Sequence, residues 1–257
     1  MTTFTASDGV EIAYRLWGWE RRSALPAVVL HHGYAADSRI NWVDPGIVEA
    51  LTAAGRRVVT LDARGHGASG KPHDPARYGE GRMAEDVVAL VDLLGEERYD
   101  LAGYSMGAIV ALLTAARDGR VRRLVVAGVG AGVVERGGVD TRATGGRELL
   151  HALETDDPSS VTNEDAAAFR AFADATGADR EALVAQARAV HTGGVPFADV
   201  RAAALVMAGE EDRLAVRPGV LADALPQAVL RTVPGDHLSA VVHPDFTREL
   251  VAFVGAP

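Results

Sequence analysis

Apolar and polar residues alternate through Val10-Glu11-Ile12-Ala13-Tyr14-Arg15-Leu16-Trp17, the period of a half-buried antiparallel strand. With Phe4 on a preceding strand, this segment predicts a hairpin around Asp8-Gly9. The pattern then changes. Pro26-Ala27-Val28-Val29-Leu30-His31 is continuously apolar, as a strand covered on both faces is. Arg57 to Asp62, Tyr99 to Ala102, Val121 to Gly128, Ala202 to Gly209 and Ala228 to Val233 read as further strands. Helices are expected between them. One spans Val43 to Ala54 and ends at Gly55. Met83 to Leu94 carries a stripe of Val87, Val88, Leu90, Val91 and Leu94, closed by Gly95. Ala108 to Arg117 is rich in Ala and Leu, with Gly119 where a stop is wanted. Pro218 to Ala224 is helical, and a last helix follows His243-Pro244 and runs to Val254.

Strands alternating with helices mean a mainly parallel sheet with right-handed crossovers. The reading is an α/β fold, an eight-stranded sheet with helices on both faces. The alternation breaks between about 132 and 199, where no convincing strand occurs. Arg136-Gly137-Gly138 and Thr144-Gly145-Gly146 look like loops. Asn163 to Ala175 and Asp179 to His191 look like amphipathic helices capped by Asn163 and Asp179. The expected organisation is a core of 1–131 and 200–257 with a small helical cap, 132–199, inserted in it.

Gly103-Tyr104-Ser105-Met106-Gly107 joins the Tyr99 strand to the Ala108 helix. Strand, Gly-x-Ser-x-Gly and helix in that order describe a nucleophile elbow. The turn is tight enough that side chains at 103 and 107 would collide, and it lifts the serine hydroxyl above the sheet. The helix behind offers N–H groups and a partial positive charge. With 28 glycines in 257 residues, chance supplies only about 0.1 such pentapeptides.

In an open parallel sheet, sites form at the C-terminal ends of strands. Those ends carry His31-His32-Gly33-Tyr34, Asp62, Ser105, Gly209-Glu210-Glu211-Asp212 and Gly235-Asp236-His237. A free hydroxyl is a poor nucleophile and needs a base. His237, in the loop after the last strand, can reach back over the elbow. The base in turn needs a carboxylate to fix its tautomer. Asp212 is taken for that role over Glu210, Glu211 and Asp236.

These motifs resemble the α/β-hydrolase fold superfamily, in its small-capped esterase and lactonase-like lineage. The resemblance spans nearly the whole chain. It includes His32-Gly33, Asp62-Ala63-Arg64-Gly65-His66-Gly67-Ala68-Ser69, the elbow, Gly209 to Asp212 where the family places its acid, His237, and His243-Pro244-Asp245-Phe246. The order Ser, Asp, His is the family's. Asp236 departs from it, since many relatives have glycine before the histidine. The resemblance implies an oxyanion hole made by the backbone N–H groups of Tyr34 and Met106. It also implies that His31 and His32 hold their loop by hydrogen bonds, and that Asp62 and Arg64 tie down the loop after the fourth strand. Ser105 argues against the haloalkane dehalogenase and epoxide hydrolase branches, which use a carboxylate nucleophile.

Other chemistry is narrowed by composition. A net charge of −9 argues against nucleic-acid or anionic-membrane partners. The absence of cysteine excludes disulfides, thiolate catalysis and Cys-ligated metals. Met1 to Gly9 has no signal-peptide pattern and no apolar run approaches a membrane span, so a cytoplasmic protein is expected. Gly65-His66-Gly67-Ala68-Ser69-Gly70 fits a dinucleotide pattern, but Pro72 and Pro75 follow where a helix must begin. No cofactor and no metal are expected, and His66 and His73 are placed on a charged surface loop. Trp42, Phe197 and Leu238 are candidates for an acyl or alcohol pocket, with core packing as the alternative. Phe169 and Phe172 read first as packing within the cap and second as substrate contacts. The expected function is hydrolysis of a small-molecule ester or lactone. The alternatives are a C–C bond hydrolase, an acyltransferase or a cofactor-free perhydrolase on the same residues, or a non-catalytic ligand-binding protein.

Overall fold

The computed structural model describes residues 1–20, 23–138 and 146–255. Eight strands form one sheet: β1 (Thr2–Thr5), β2 (Glu11–Trp17), β3 (Ala27–His31), β4 (Val58–Leu61), β5 (Tyr99–Tyr104), β6 (Val121–Ala127), β7 (Ala203–Gly209) and β8 (Ala228–Val233). Their spatial order is β1-β2-β4-β3-β5-β6-β7-β8. β1 and β2 pair antiparallel, as does β2 with β4; every other neighbour is parallel. The alternating strand and the apolar strands expected from the sequence are therefore the antiparallel edge and the parallel body.

Helices α1 (Ile47–Ala53), α2 (Glu80–Leu94) and α3 (Met106–Arg117) fall within the first part of the chain. α8 (Pro218–Ala224) and α9 (Pro244–Gly255) fall near its end. Successive strand residues point to opposite faces, which splits the core in two. Val29, Leu101 and Val126 pack with Met83, Val87 and Leu90 of α2, with α3, and with Leu221 of α8. Val28, Leu30 and Val125 pack with Ile47 and Leu51 of α1 and Phe246 and Leu250 of α9.

Between β6 and β7 lie α4 (Ala131–Arg136), α5 (Gly146–Glu154), α6 (Glu164–Thr176) and α7 (Arg180–Ala187). The caps expected at Asn163 and Asp179 accept from the N–H groups of Ala166 and Ala182, at 2.9 and 3.0 Å. α4 and α5 were not expected, because the glycines around them mask their short apolar patterns. Thr144-Gly145 lies outside the described residues, and Gly146 opens α5 instead of continuing a loop. α7 stops at Ala187, short of His191, where the Ala189 N–H turns back to Gln186 O. The helix expected from Val43 starts only at Ile47. A single π-type turn, Arg39–Val43, precedes it, and Pro45 has no N–H with which to continue the ladder.

An ionic cluster closes the N-terminal ends of the parallel strands. Asp100, fully buried, binds Arg56 and also Arg122, at 2.7 Å. Both guanidinium groups also donate to the carbonyl of Val254, fastening α9. Removing the carboxylate strands a 1 % exposed arginine. Asp100→Ala is expected to cost about 3–5 kcal/mol, read by urea unfolding. A loss under 1 kcal/mol would show that the cluster holds nothing together.

Candidate active site

The elbow is built from two close backbone approaches. A Cβ on Gly103 would meet the carbonyl oxygen of Gly107 at 2.0 Å, and one on Gly107 would meet that of His31 at 2.3 Å. Glycine alone lets α3 start against β5 and β3 at this range. Ser105 then sits at φ 55° and ψ −117°, a strained conformation for a residue with a side chain. Its N–H is held by Ala127 O at 2.8 Å.

His237 meets it from the loop after β8. Its Nε2 accepts from the Ser105 hydroxyl at 2.9 Å, and its Nδ1 donates to Asp212 at 2.9 Å and 3.0 Å to the two oxygens. Asp212, its side chain fully buried, also accepts from the N–H groups of Leu214 and Ala215. This fixes the carboxylate's direction and hence the ring's tautomer. Asp236 does not reach the ring. Its carboxylate takes the Ser239 hydroxyl at 2.5 Å and the N–H groups of Leu238 and Ser239, and the hydroxyl bond holds it below the usual carboxylate range. The structure thus brings Ser105, His237 and Asp212 together, and of the four candidate carboxylates Asp212 is the one hydrogen-bonded to the ring. Tyr104 also belongs here: its hydroxyl donates to His237 O at 2.7 Å, holding the histidine loop. It occupies the variable position of the Gly-x-Ser-x-Gly pattern, where the sequence offers no signal for it.

The loop after β3 brings Tyr34 alongside. Gly33 N–H is engaged by Asn41 Oδ1 at 2.7 Å, and Ala35 N–H by His66 Nε2 at 3.2 Å. Among the described residues the N–H groups of Tyr34 and Met106 have no acceptor. His32 Nε2 accepts from Ala63 N–H at 2.9 Å while its Nδ1 donates to Gly33 O at 2.7 Å. His31 Nδ1 donates to His32 O at 3.1 Å. The loop-holding role expected for His31 and His32 is what the structure shows. Asp62 accepts from the N–H groups of Ser38 and Ala68, and Arg64 binds Asp86 and Asp8, so the fourth-strand loop is tied as expected.

His66 is a correction. It is 2 % exposed, packed against His32, with Nδ1 donating to Arg64 O at 2.9 Å. Its glycine-rich surroundings suggested a surface loop, but the loop folds inward to brace Ala35. His73 alone is exposed, bridging Asp179 and Glu181. Among the described residues no group of three or more His, Asp or Glu side chains is arranged to hold a metal. No helix among them is long and apolar enough to cross a membrane.

Two lobes flank His237. An inner one of about 80 Å³ is lined by Tyr34, Ile40, Tyr104, Ser105, Phe169, Phe172, Leu238, Val241 and Val242 among others. An outer one of about 170 Å³ shares Phe169, Phe172, His237 and Leu238 and is rimmed by Asp165, Glu211, Arg213 and Asp236. Phe169, Phe172 and Leu238 are therefore pocket residues. Trp42 and Phe197 are not. The π-type turn presents Ile40 and Asn41 to the pocket and rotates Trp42 into the core, fully buried. Phe197 lies in a short turn before β7, at the strand end opposite the site, packed on the core. Ile40, Val241 and Val242 were missed, because nothing in their local pattern separates pocket lining from packing.

The family model for the alpha/beta hydrolase fold matches residues 26–131. A hydrolase from Pseudomonas aeruginosa PA01 superposes with a TM-score of 0.80 over 99% of this chain and 98% of its own, at 28% identity. The chain has the α/β-hydrolase fold. It is 36% identical over 49% of its length to a non-heme chloroperoxidase of Streptomyces lividans. It is 40% identical over 40% of its length to an sn-1-specific diacylglycerol lipase of Mus musculus. The matches span 44% and 33% of those two relatives' own lengths.

The buried histidines carry a pH signature. Burial lowers His31 to about 3 and His32 and His66 to about 4. An unfolded histidine titrates near 6.5. Below that pH the unfolded chain binds more protons than the folded one, so stability falls as pH drops from about 6.5 toward about 4. Each histidine adds a slope of about 1.4 kcal/mol per pH unit across that window. Urea unfolding at pH 5, 6 and 7 should show this, and His66→Gln should remove about one histidine's share. An unchanged slope in that variant would disprove the assignment.

Proposed function

We propose that this chain hydrolyses carboxylic esters or lactones of small molecules through an acyl-enzyme on Ser105. The observation that carries the reading is the continuous hydrogen-bonded path from Asp212 through His237 to Ser105, opening on an apolar pocket. His237 Nε2 takes the Ser105 proton as Oγ attacks the carbonyl carbon. The charge that develops on the carbonyl oxygen is met by the unpaired N–H groups of Tyr34 and Met106. The imidazolium, facing the Asp212 carboxylate, returns the proton to the leaving alkoxide. Water, deprotonated by the same nitrogen, then attacks the acyl-serine, and Ser105 recovers its proton as the acid departs.

The helices within 132–199 act as a cap in this reading. Phe169 and Phe172 of α6 face His237 and Leu238 across both lobes. The inner lobe's small apolar volume suits short to medium acyl groups. A diacylglycerol lipase among the relatives is in keeping with ester chemistry. A second reading is favoured by the non-heme chloroperoxidase relative: cofactor-free perhydrolysis. There hydrogen peroxide replaces water in attacking the acyl-serine, giving a peracid and free Ser105.

A fluorophosphonate probe should modify Ser105 in folded protein and leave Ser105→Ala unlabelled, by intact-mass measurement. An unlabelled wild type ends the proposal. Asp212→Asn should lower kcat on p-nitrophenyl acetate by about 10³–10⁴. Glu210→Gln and Glu211→Gln should change it less than about twofold, since neither reaches His237. If Glu211→Gln is the damaging change, the acid has been misassigned.

A further inference from the structure

Both proposed oxyanion donors are held, through their side chains, by one helix of the insertion. The Tyr34 hydroxyl donates to Leu183 O on α7 at 2.7 Å. One helical turn on, the Gln186 side-chain amide donates to the sulfur of Met106. The two contacts, one through a backbone carbonyl and one through a side chain, lie within a single turn of α7. The donors come from distant stretches of chain, after β3 and after β5, and α7 touches both.

Gln186 is hard to explain as packing. It is 2 % exposed, and its Oε1 has no partner among the described residues. A buried amide with an unsatisfied oxygen is costly, and Leu or Met would fill the space without that cost. What the amide supplies that they lack is an N–H donor, and it points at the residue after Ser105. Neighbouring contacts grip the same loop. Thr176 at the end of α6 donates its hydroxyl to Ala35 O at 3.1 Å. Ala35 itself is buried in the hydrophobic cluster of the insertion, with Leu153, Ala173, Leu183 and Val184.

We infer that α7 positions the oxyanion hole, with the Tyr34 hydroxyl and Gln186 as positioning residues that act through the Tyr34 and Met106 backbone N–H groups. The inference rests on the reading of Ser105 as an acyl-transfer nucleophile. The Tyr34 anchor fixes the rotation of the peptide that carries its N–H. The amide on Met106 does the same for the first turn of α3. Donors aimed at the developing oxyanion act on the transition state more than on the bound ester, so losing their alignment lowers kcat and spares KM.

The test uses Tyr34→Phe and Gln186→Met with p-nitrophenyl acetate as substrate. Tyr34→Phe removes only the hydroxyl; Gln186→Met removes the N–H donor together with the unpartnered amide oxygen, and both keep side-chain volume. Each is expected to lower kcat about tenfold, a fraction of the 10²–10³ lost with a whole donor, with KM within about twofold. Affinity for a phenylboronic acid, whose tetrahedral adduct fills the same hole, should weaken by a matching factor, while the thermal midpoint stays near wild type. Arg188→Ala, which cuts an exposed ion pair to Glu154 just past α7, should leave all three unchanged. Wild-type kcat in both donor variants, unchanged boronate affinity, or a loss confined to KM overturns the inference. Turnover that survives Ser105→Ala overturns the underlying reading instead, so the two failures are separable.

Discussion

The close approach of α3 to β3 and β5 is the constraint on which the site depends. Gly107 lies against the carbonyl of His31, and Gly103 against the carbonyl of Gly107. Nothing larger than hydrogen fits at either place, so the helix begins directly above the sheet. Ser105 takes its strained backbone from the same geometry. His31 and His32 continue from the touched strand into the loop that bears Tyr34. Ser105 and the N–H groups of Tyr34 and Met106 are therefore positioned by one packing contact.

Around that contact, beside the Asp62 and Arg64 ties, the protein uses the neutral hydrogen bonds of two buried histidines. His32 and His66 each accept one backbone N–H and donate to one carbonyl, so the loops after β3 and β4 brace each other. An ammonium or guanidinium could only donate, and could not hold Ala63 or Ala35 N–H. Neutral imidazole can do both at once, which explains why histidine occupies a dry position here. The partners of Gly33 and Ala35 leave Tyr34 N–H as the unengaged group between them.

Much of this was legible in the chain because local rules and global fold agree. The apolar runs at Val28 and Val125, the caps at Asn163 and Asp179, and the glycines at 103 and 107 each carry a physical requirement visible over a few residues. Ser105, Asp212 and His237 were legible because each stands just past a strand. Trp42, Phe197 and His66 were misplaced for a common reason. Their surroundings depend on how a turn rotates or which end of a strand it meets, and neither is written in neighbouring residues. The α7 contacts were beyond reach too, since Tyr34 meets Leu183 only across the fold.

The ionic cluster of Arg56, Asp100 and Arg122 stands at the opposite end of β5 from Ser105, with the whole strand between them. Mutations at well-separated sites add almost independently. Changes at Phe169, Phe172 or Val241 alter the serine's surroundings but leave the Arg56, Asp100 and Arg122 contacts intact. The cluster and the pocket are thus separate mechanical parts: a change at one end of β5 leaves the contacts at the other end in place.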